Sequence, residues 1–301
     1  MNTLASLKDM IPNRQKKVAV AHAADQGILR AVKKALELNL CEFLLVGDEV
    51  DIAAAAQQAE LDILQAGITI RHVGRTESVA GEAVAAVAEE EAQLVMKGSL
   101  PTKNLLRAVL DKNRGLRTGK VLSHTALFEI PALDRLLLLS DAALNITPSL
   151  KEKEQIIHNS VEVARGIGMT TPKVALLAPV ETVDESMQST MDAALLTQMY
   201  RRGQISGCVV DGPLAFDIAI STEAADQKGI VSDVAGKADV LIVPTIEAGN
   251  MLYKSFIYTG RAQVASIISG AKVPVVLTSR SDSAQSKLNS LMLGLASADK
   301  I

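Results

Sequence analysis

The chain has 301 residues and a net charge of −3; 48% of it is hydrophobic, yet aromatics make up only 2% and tryptophan is absent. A core built from Ala, Val, Leu and Ile suits helices packed closely on parallel strands. The same composition excludes the stacking platforms of single-strand nucleic-acid binders and the basic footprint of duplex binders.

No apolar run approaches the ~18 residues of a membrane span, and the polar start lacks the layout of a signal peptide. Cys41 and Cys208 have no metal-like spacing, and Cys208, in an apolar run, reads as a core thiol. The expectation is a cytoplasmic protein with no membrane or nucleic-acid partner. The length fits two domains or one large α/β domain.

In chain order, Lys17–Ala23 reads as a strand, and Asp25 opens a helix with Ile28, Leu29, Val32, Leu36 and Leu40 at helical spacing. Strands at 42–47, 68–73 and 92–96 alternate with helices at 49–60 and 77–91. Such alternation describes right-handed βαβ units, hence a parallel sheet covered on both faces. His22, at the end of the first strand, reads as a satisfied, half-buried histidine or a functional one. The fourth strand runs into Lys97, Gly98, Ser99, Pro101, Thr102 and Lys103, with Arg107 about a turn further on. Gly98 frees the backbone for a tight turn and Pro101 suits a first helical turn. The junction favours an anion or is a polar, capped helix start; its glycine spacing is not that of a P-loop.

From residue 118 the pattern changes. Strands at 121–130 and 135–141 are joined by a link too short for a helical crossover, so they are expected to be antiparallel and to open a second domain. Ser140, Asp141 and Asn145 lie at a carboxyl strand end. Helix 151–168 turns Ile156, Ile157, Val161 and Val163 inward; strand 173–179 follows. Helix 185–202 carries Met187, Met191, Leu195 and Met199 at a spacing of four, read as its core stripe. Strands at 207–214 and 238–244 come next. The helix after the second of these places Asn250 and Lys254 on one face. Residues 261–269 are expected to form one more helix. The strand at 275–277 then ends in Thr278, Ser279 and Arg280, and Ser281 or Asp282 caps a last helix. Hydroxyls, a guanidinium and a helix start meet there, which favours phosphate if the turn is more than an ordinary one.

Together these pieces resemble the phosphate acyltransferase family, the phosphate acetyltransferases and butyryltransferases, over nearly the whole length. The resemblance rests on Lys97, Gly98 and Ser99 with Thr102 and Arg107; on Ser140–Asn145; on Asp211–Asp217; on Ala235–Asp239 running into Val240–Pro244; on Gly249–Lys254; and on Thr278–Arg280. It implies two α/β/α domains with mainly parallel sheets and a cleft between them, a dehydrogenase-like fold of the isocitrate and isopropylmalate type. Residues 1–120 plus 271–301 would form the first domain and 121–270 the second. It also implies transfer of an acyl group between coenzyme A and phosphate by a homodimer or larger homo-oligomer, with no metal or bound cofactor. Ser279, Arg280 and Asp282 would be catalytic. Gly98, Ser99, Thr102, Arg107, Asn145, Gly249, Asn250 and Lys254 would bind substrate.

The acidic residue proposed as thiol base in the acetyltransferase pattern falls here on Ser286, next to Lys287. Asp282 is the nearest carboxylate; it lies one turn early and is a natural cap. The turn at 97–98, the His124 segment and the compact length resemble the butyryltransferase branch. Two rival readings remain. A decarboxylating hydroxyacid dehydrogenase on a similar fold would need a metal-binding aspartate cluster, whereas Asp211, Asp217 and Asp239 are separated by strands. The other rival is a non-catalytic CoA- or metabolite-binding regulator.

Overall fold

Residues 3–11, 15–74, 76–278 and 282–298 are described in the computed structural model. A 3-10 helix, Leu4–Met10, precedes the first βα series: β1 (Lys17–Ala21), α1 (Gln26–Glu37), β2 (Glu42–Gly47), α2 (Glu49–Ala59), β3 (Ile68–His72), α3 (Thr76–Ala88), β4 (Leu94–Lys97) and α4 (Thr102–Val109). The second series is β5 (Ser123–Glu129), β6 (Leu136–Ser140), α5 (Leu150–Gly166), β7 (Lys173–Leu177), α6 (Gln188–Arg201), β8 (Val209–Leu214), α7 (Phe216–Ile220), α8 (Thr222–Gln227), β9 (Val240–Ile242) and α9 (Ile246–Tyr258). The chain ends with β10 (Gln263–Ser269), β11 (Val275–Val276) and α10 (Ala284–Ser297).

Two compact units result, one drawn from 5–120 and 265–299, the other from 121–264 with the first residues. In the first unit the strand order is β3-β2-β1-β4-β11-β10. All its pairings are parallel except β10 with β11. Val18–Ala21 and Leu94–Lys97 are buried, as expected of strands covered on both faces. In the second unit the order is β5-β6-β9-β7-β8. There β5 and β6 are antiparallel, as their short link requires, and the other pairs are parallel. The protein is thus a mixed α/β fold with mainly parallel pairing.

Three sequence expectations are corrected. Residues 261–269 are not a helix: Gln263–Ser269 is a strand, buried from Val264 on. Three of its seven residues are β-branched, and it is bounded by Arg261 at φ 52° and Gly270 at φ 93°, so it is a short buried strand that resembles a helix only in apolarity. In α6 the methionine row is not the core stripe. The buried positions are Thr190, Asp192, Ala193, Leu196 and Thr197, while Leu195 is exposed. A row spaced by four drifts about 40° per step around a helix of 3.6 residues per turn. The close approach is made instead where Gly212 lacks a side chain: Thr197 Oγ1 donates to Gly212 O at 3.0 Å. The third correction concerns the last helix. Its cap is Ser283, whose hydroxyl accepts from Ser286 N at 3.0 Å, and not Asp282; Ser281 lies outside the described residues.

Candidate active-site elements

In the first unit, the carboxyl ends of β1, β4 and β11 lie side by side. Register pairs Val275 with Val95 and Val276 with Met96, so its continuation sets Thr278 level with Gly98. The turn after β4 is built on its neighbour: Gly98 N donates to Ala21 O and Ser99 N to His22 O, each at 2.8 Å. A Cβ at Gly98 would lie 2.1 Å from His22 O and 2.5 Å from Ala21 O, so only glycine permits this approach. Lys97, 5% exposed, donates through Nζ to Gly98 O at 3.3 Å and to Thr278 O at 3.4 Å. The two junctions read separately in the sequence, Lys97–Ser99 and the one beginning at Thr278, therefore share one sheet edge.

His22 is a departure from the satisfied histidine of the sequence reading. It sits at φ 60°, half-buried, and its Nδ1 is buried without a hydrogen-bond partner. Thr278 Oγ1 is likewise buried without one. Such groups are costly unless something polar reaches them.

Ser99 and Thr102 flank the start of α4, whose N-cap residue, Pro101, supplies no side-chain cap bond. Asn104 N donates to Pro101 O at 3.0 Å, so it is the N–H groups ahead of it at this helix start that can face an anion. Arg107 is exposed and lies in the last turn of α4, about 7.5 Å along the axis from Thr102 at 1.5 Å per residue. The catalytic pair named from the sequence, Ser279 and Arg280, lies outside the described residues. Asp282 is half-buried, and its backbone carbonyl accepts from Lys287 Nζ. Lys287 was missed by sequence reasoning. It is 3% exposed and adjoins the first turn of α1: its Nζ is 3.7 Å from where a Cβ would stand on Gly27. The available signal was a lysine four residues before Leu291 on the apolar face of a helix.

In the second unit, Asp141 is the hub of the turn after β6. Its Oδ1 accepts from Ala143 N at 2.8 Å and Leu144 N at 3.0 Å, and its Oδ2 from Asn145 Nδ2 at 2.6 Å. Asn145 Nδ2 also reaches Leu122 O at 2.8 Å, so its amide group braces the turn. Asn250 Nδ2 donates to Ala142 O at 3.3 Å. A Cβ on Gly249 would stand 2.5 Å from Asp141 O, so the close approach at this glycine is to the protein's own backbone. Lys254 is exposed, one turn beyond Asn250. Asp141, Ala142, Asn145, Gly249 and Asn250 are thereby brought into one bonded cluster at the carboxyl ends of β6 and β9.

Neither cysteine offers a nucleophile. Burial pushes the Cys208 thiol up to about 11, and burial, then the nearby Glu42 carboxylate, raises Cys41 further; thiolate is scarce in both near neutrality. Among the described residues no group of three or more His, Cys, Asp or Glu side chains could hold a metal ion, and no helix is long and apolar enough to cross a membrane.

Residues 66–295 match the family described as phosphate acetyl/butaryl transferase. A probable phosphate butyryltransferase of Bacillus subtilis is 49% identical over 98% of each chain. A phosphate acetyltransferase of Thermotoga maritima is 43% identical over 96% of this chain and 98% of its own. Among solved structures, a branched-chain phosphotransacylase from Enterococcus faecalis superposes with a TM-score of 0.84 at 36% identity, covering 95% of this chain and all of the other.

Proposed function

The chain belongs to the phosphate acetyl/butyryl transferase family, and on that premise we propose that it is a phosphate butyryltransferase, converting butyryl-CoA and phosphate to butyryl phosphate and CoA. The observation that carries the reading is the bond from Lys97 Nζ to Thr278 O. It ties the two anion-favouring strand ends of the first unit to one edge, where phosphate can be held against a thioester.

The reaction proceeds by direct transfer. A phosphate oxygen attacks the thioester carbonyl carbon, and the carbonyl electrons move onto oxygen. Collapse of the tetrahedral intermediate expels CoA thiolate, which then takes up a proton. In this reading Arg280 and backbone N–H groups stabilise the oxyanion, and Ser279 hydrogen-bonds the thiol or the phosphate. Ser99, Thr102 and Arg107 hold phosphate, with the helix dipole of α4 adding to the field. Within the second unit, Asn250 and Lys254 are the residues this reading gives to substrate binding, beside a turn that Asp141, Asn145 and Gly249 keep in shape. The raised Cys208 and Cys41 thiols support direct transfer over an acyl-cysteine route. Coenzyme A and phosphate are both substrates, so no resident cofactor or metal is needed. A cytoplasmic homodimer or larger homo-oligomer completes the reading.

The test is CoA release from acyl-CoA and phosphate, with and without chelator, across acetyl, propionyl, butyryl and branched-chain esters. Phosphate-dependent, chelator-insensitive release, fastest with the four-carbon ester, is expected. Fastest release from acetyl-CoA would make the enzyme a phosphate acetyltransferase; no release would refute the activity.

A further inference from the structure

The second unit holds a cavity of about 420 Å³ at the carboxyl ends of β7 and β9, lined almost wholly by hydrocarbon. Leu177 and Val243, both buried, form its deep end. Phe216, Ala248 and Leu252, each half-buried, form its walls, and exposed Met251 stands at its rim. We propose that this cavity receives the hydrocarbon chain of the acyl group, and that Ala248 and Leu252 set the chain length it accepts. The inference rests on the reading of the protein as a transferase of acyl groups between CoA and phosphate, with Asn250 and Lys254 among its substrate residues.

Position and chemistry both select an uncharged, apolar guest. In open α/β sheets ligands bind in the crevice beyond the carboxyl ends of the strands, and volumes of ~300–1,000 Å³ are usual for small-molecule pockets. Among the described residues that line the cavity, only Ser255 has a polar side chain and none is cationic. The backbone at the strand ends is satisfied as well: Ala178 N donates to Leu214 O and Val243 N to Ser140 O, each at 3.0 Å. A phosphate or carboxylate placed there would lose its hydration without return. A hydrocarbon chain has the opposite balance, because each methylene gains by leaving water for an apolar surface.

The walls are held from behind. Phe216 packs on Phe256 with ring centroids 5.7 Å apart, and Phe256 meets Phe128 edge-on at 5.1 Å, so this side of the cavity is continuous with the unit's core. Ala248 and Leu252 lie one turn apart on α9 and line the same space. The single methyl of Ala248 leaves open volume that a larger side chain would fill. At the rim, Met251 is the i, i+3 neighbour of Lys254. A chain entering past Met251 therefore keeps the polar end of the thioester on the side of α9 that bears Lys254 and Asn250. A pocket that recognises methylenes discriminates by about 10- to 200-fold for each one, enough to separate a four-carbon from a two-carbon ester.

The experiment measures kcat/KM for acetyl-, butyryl- and hexanoyl-CoA with phosphate in wild type, Ala248→Leu, Ala248→Val and Leu252→Ala. Melting temperature and sedimentation velocity are recorded for each. Expected is a butyryl-to-acetyl ratio lower by about 10-fold or more in Ala248→Leu, with a smaller fall in Ala248→Val. Leu252→Ala should raise the hexanoyl-to-butyryl ratio by a similar factor, and KM for phosphate should stay within a small factor of wild type throughout. A butyryl-to-acetyl ratio unchanged in both Ala248 variants overturns the proposal. So does an equal loss with every ester. A shift to monomer as the sole effect also overturns it, and would make the cavity a contact between two copies of the chain. Should Ala248→Leu not fold, Ala248→Val, one carbon shorter, is judged by the same ratio. If wild type releases no CoA, or releases it fastest from acetyl-CoA, the functional reading fails and this inference with it. Unchanged ratios in an enzyme that favours butyryl-CoA refute the inference alone.

Discussion

Lys153 Nζ lies 2.6 Å from Asp192 Oδ2, and the two side chains are 7% and 9% exposed. The pair joins α5 to α6, and Gln188 Nε2 donates to the other carboxylate oxygen at 2.8 Å. Taking both charges out of water costs about as much as their attraction returns, so the pair adds little net stability, whereas one partner left alone is a buried, unpaired charge. Lys153→Met is expected to cost about 3–5 kcal/mol. Lys153→Met with Asp192→Leu should regain most of that loss. Urea denaturation of the three proteins checks the ordering; equal stability of the single and double variants would contradict it.

Gly98 is the tightest glycine of the first unit's site edge. A methyl group there meets two backbone carbonyls, His22 O and Ala21 O, and neither can swing aside as a side-chain tip would. Gly98→Ala should cost about 1–3 kcal/mol or more by overpacking, and it should displace the turn that carries Ser99, with most of the acyl transfer lost. Gly81 is the matched control. It lies within α3 with nothing inside 4 Å of a Cβ position, so Gly81→Ala is expected to stabilise by about 0.5–1 kcal/mol with activity kept. Melting temperature and kcat/KM of both variants provide the check.

What was legible in the sequence depended on how local its cause was. The βα alternation of the first 100 residues and the antiparallel β5–β6 pair follow from apolar period and link length, and both appear as read. Residues 261–269 failed because a short buried run has no period that separates strand from helix; the pairing of Ile267 and Ile268 with β11 is a contact the local sequence does not carry. The cap at Ser283 was missed by one residue among three candidate oxygens in a row. At the site, the residue types at 97–99 and at 278 were legible, but the fact that they share one edge is a matter of strand order. Lys287 escaped because its relevance comes from a carbonyl five residues back, Asp282 O, which composition does not reveal.

The two thiols make stability depend on pH at the alkaline end. Burial lifts Cys208 from 9.0 to about 11, so between those values the unfolded chain has lost a proton that the folded chain keeps. Stability must fall as pH rises wherever the folded state binds more protons. The contribution is fully present below about pH 9 and lost progressively toward pH 11. Cys41 is raised in the same direction, by burial and by Glu42, and extends the effect. Urea midpoints at pH 7 and pH 10 should therefore differ more for wild type than for Cys208→Ala. Both thiols should also resist alkylation in the folded protein at pH 8. Rapid modification of Cys208 without unfolding would contradict its burial.

The role of Asp282 now turns on its neighbour. The first turn of α10 is capped by Ser283, whose hydroxyl accepts from Ser286 N, so Asp282 is released from the capping role that competed with catalysis in the sequence reading. Its backbone carbonyl, however, is the atom that Lys287 engages, and a carbonyl is unaffected by amidation of the side chain. Asp282→Asn should therefore leave both the cap and the Lys287 contact in place. It is expected to lower acyl transfer by far less than the ~10²–10⁴-fold that a general base supplies. Ser283→Ala should cost ~1 kcal/mol of stability through the lost cap, with little change in the pH dependence of turnover. The measurement is the pH profile of acyl phosphate plus CoA for wild type, Asp282→Asn and Ser283→Ala, alongside their melting temperatures. A thiol close to Arg280 would need less help from a base, because a nearby positive charge favours thiolate. Loss of the acidic limb together with a rate drop in that 10²–10⁴ range for Asp282→Asn alone would instead make Asp282 the base.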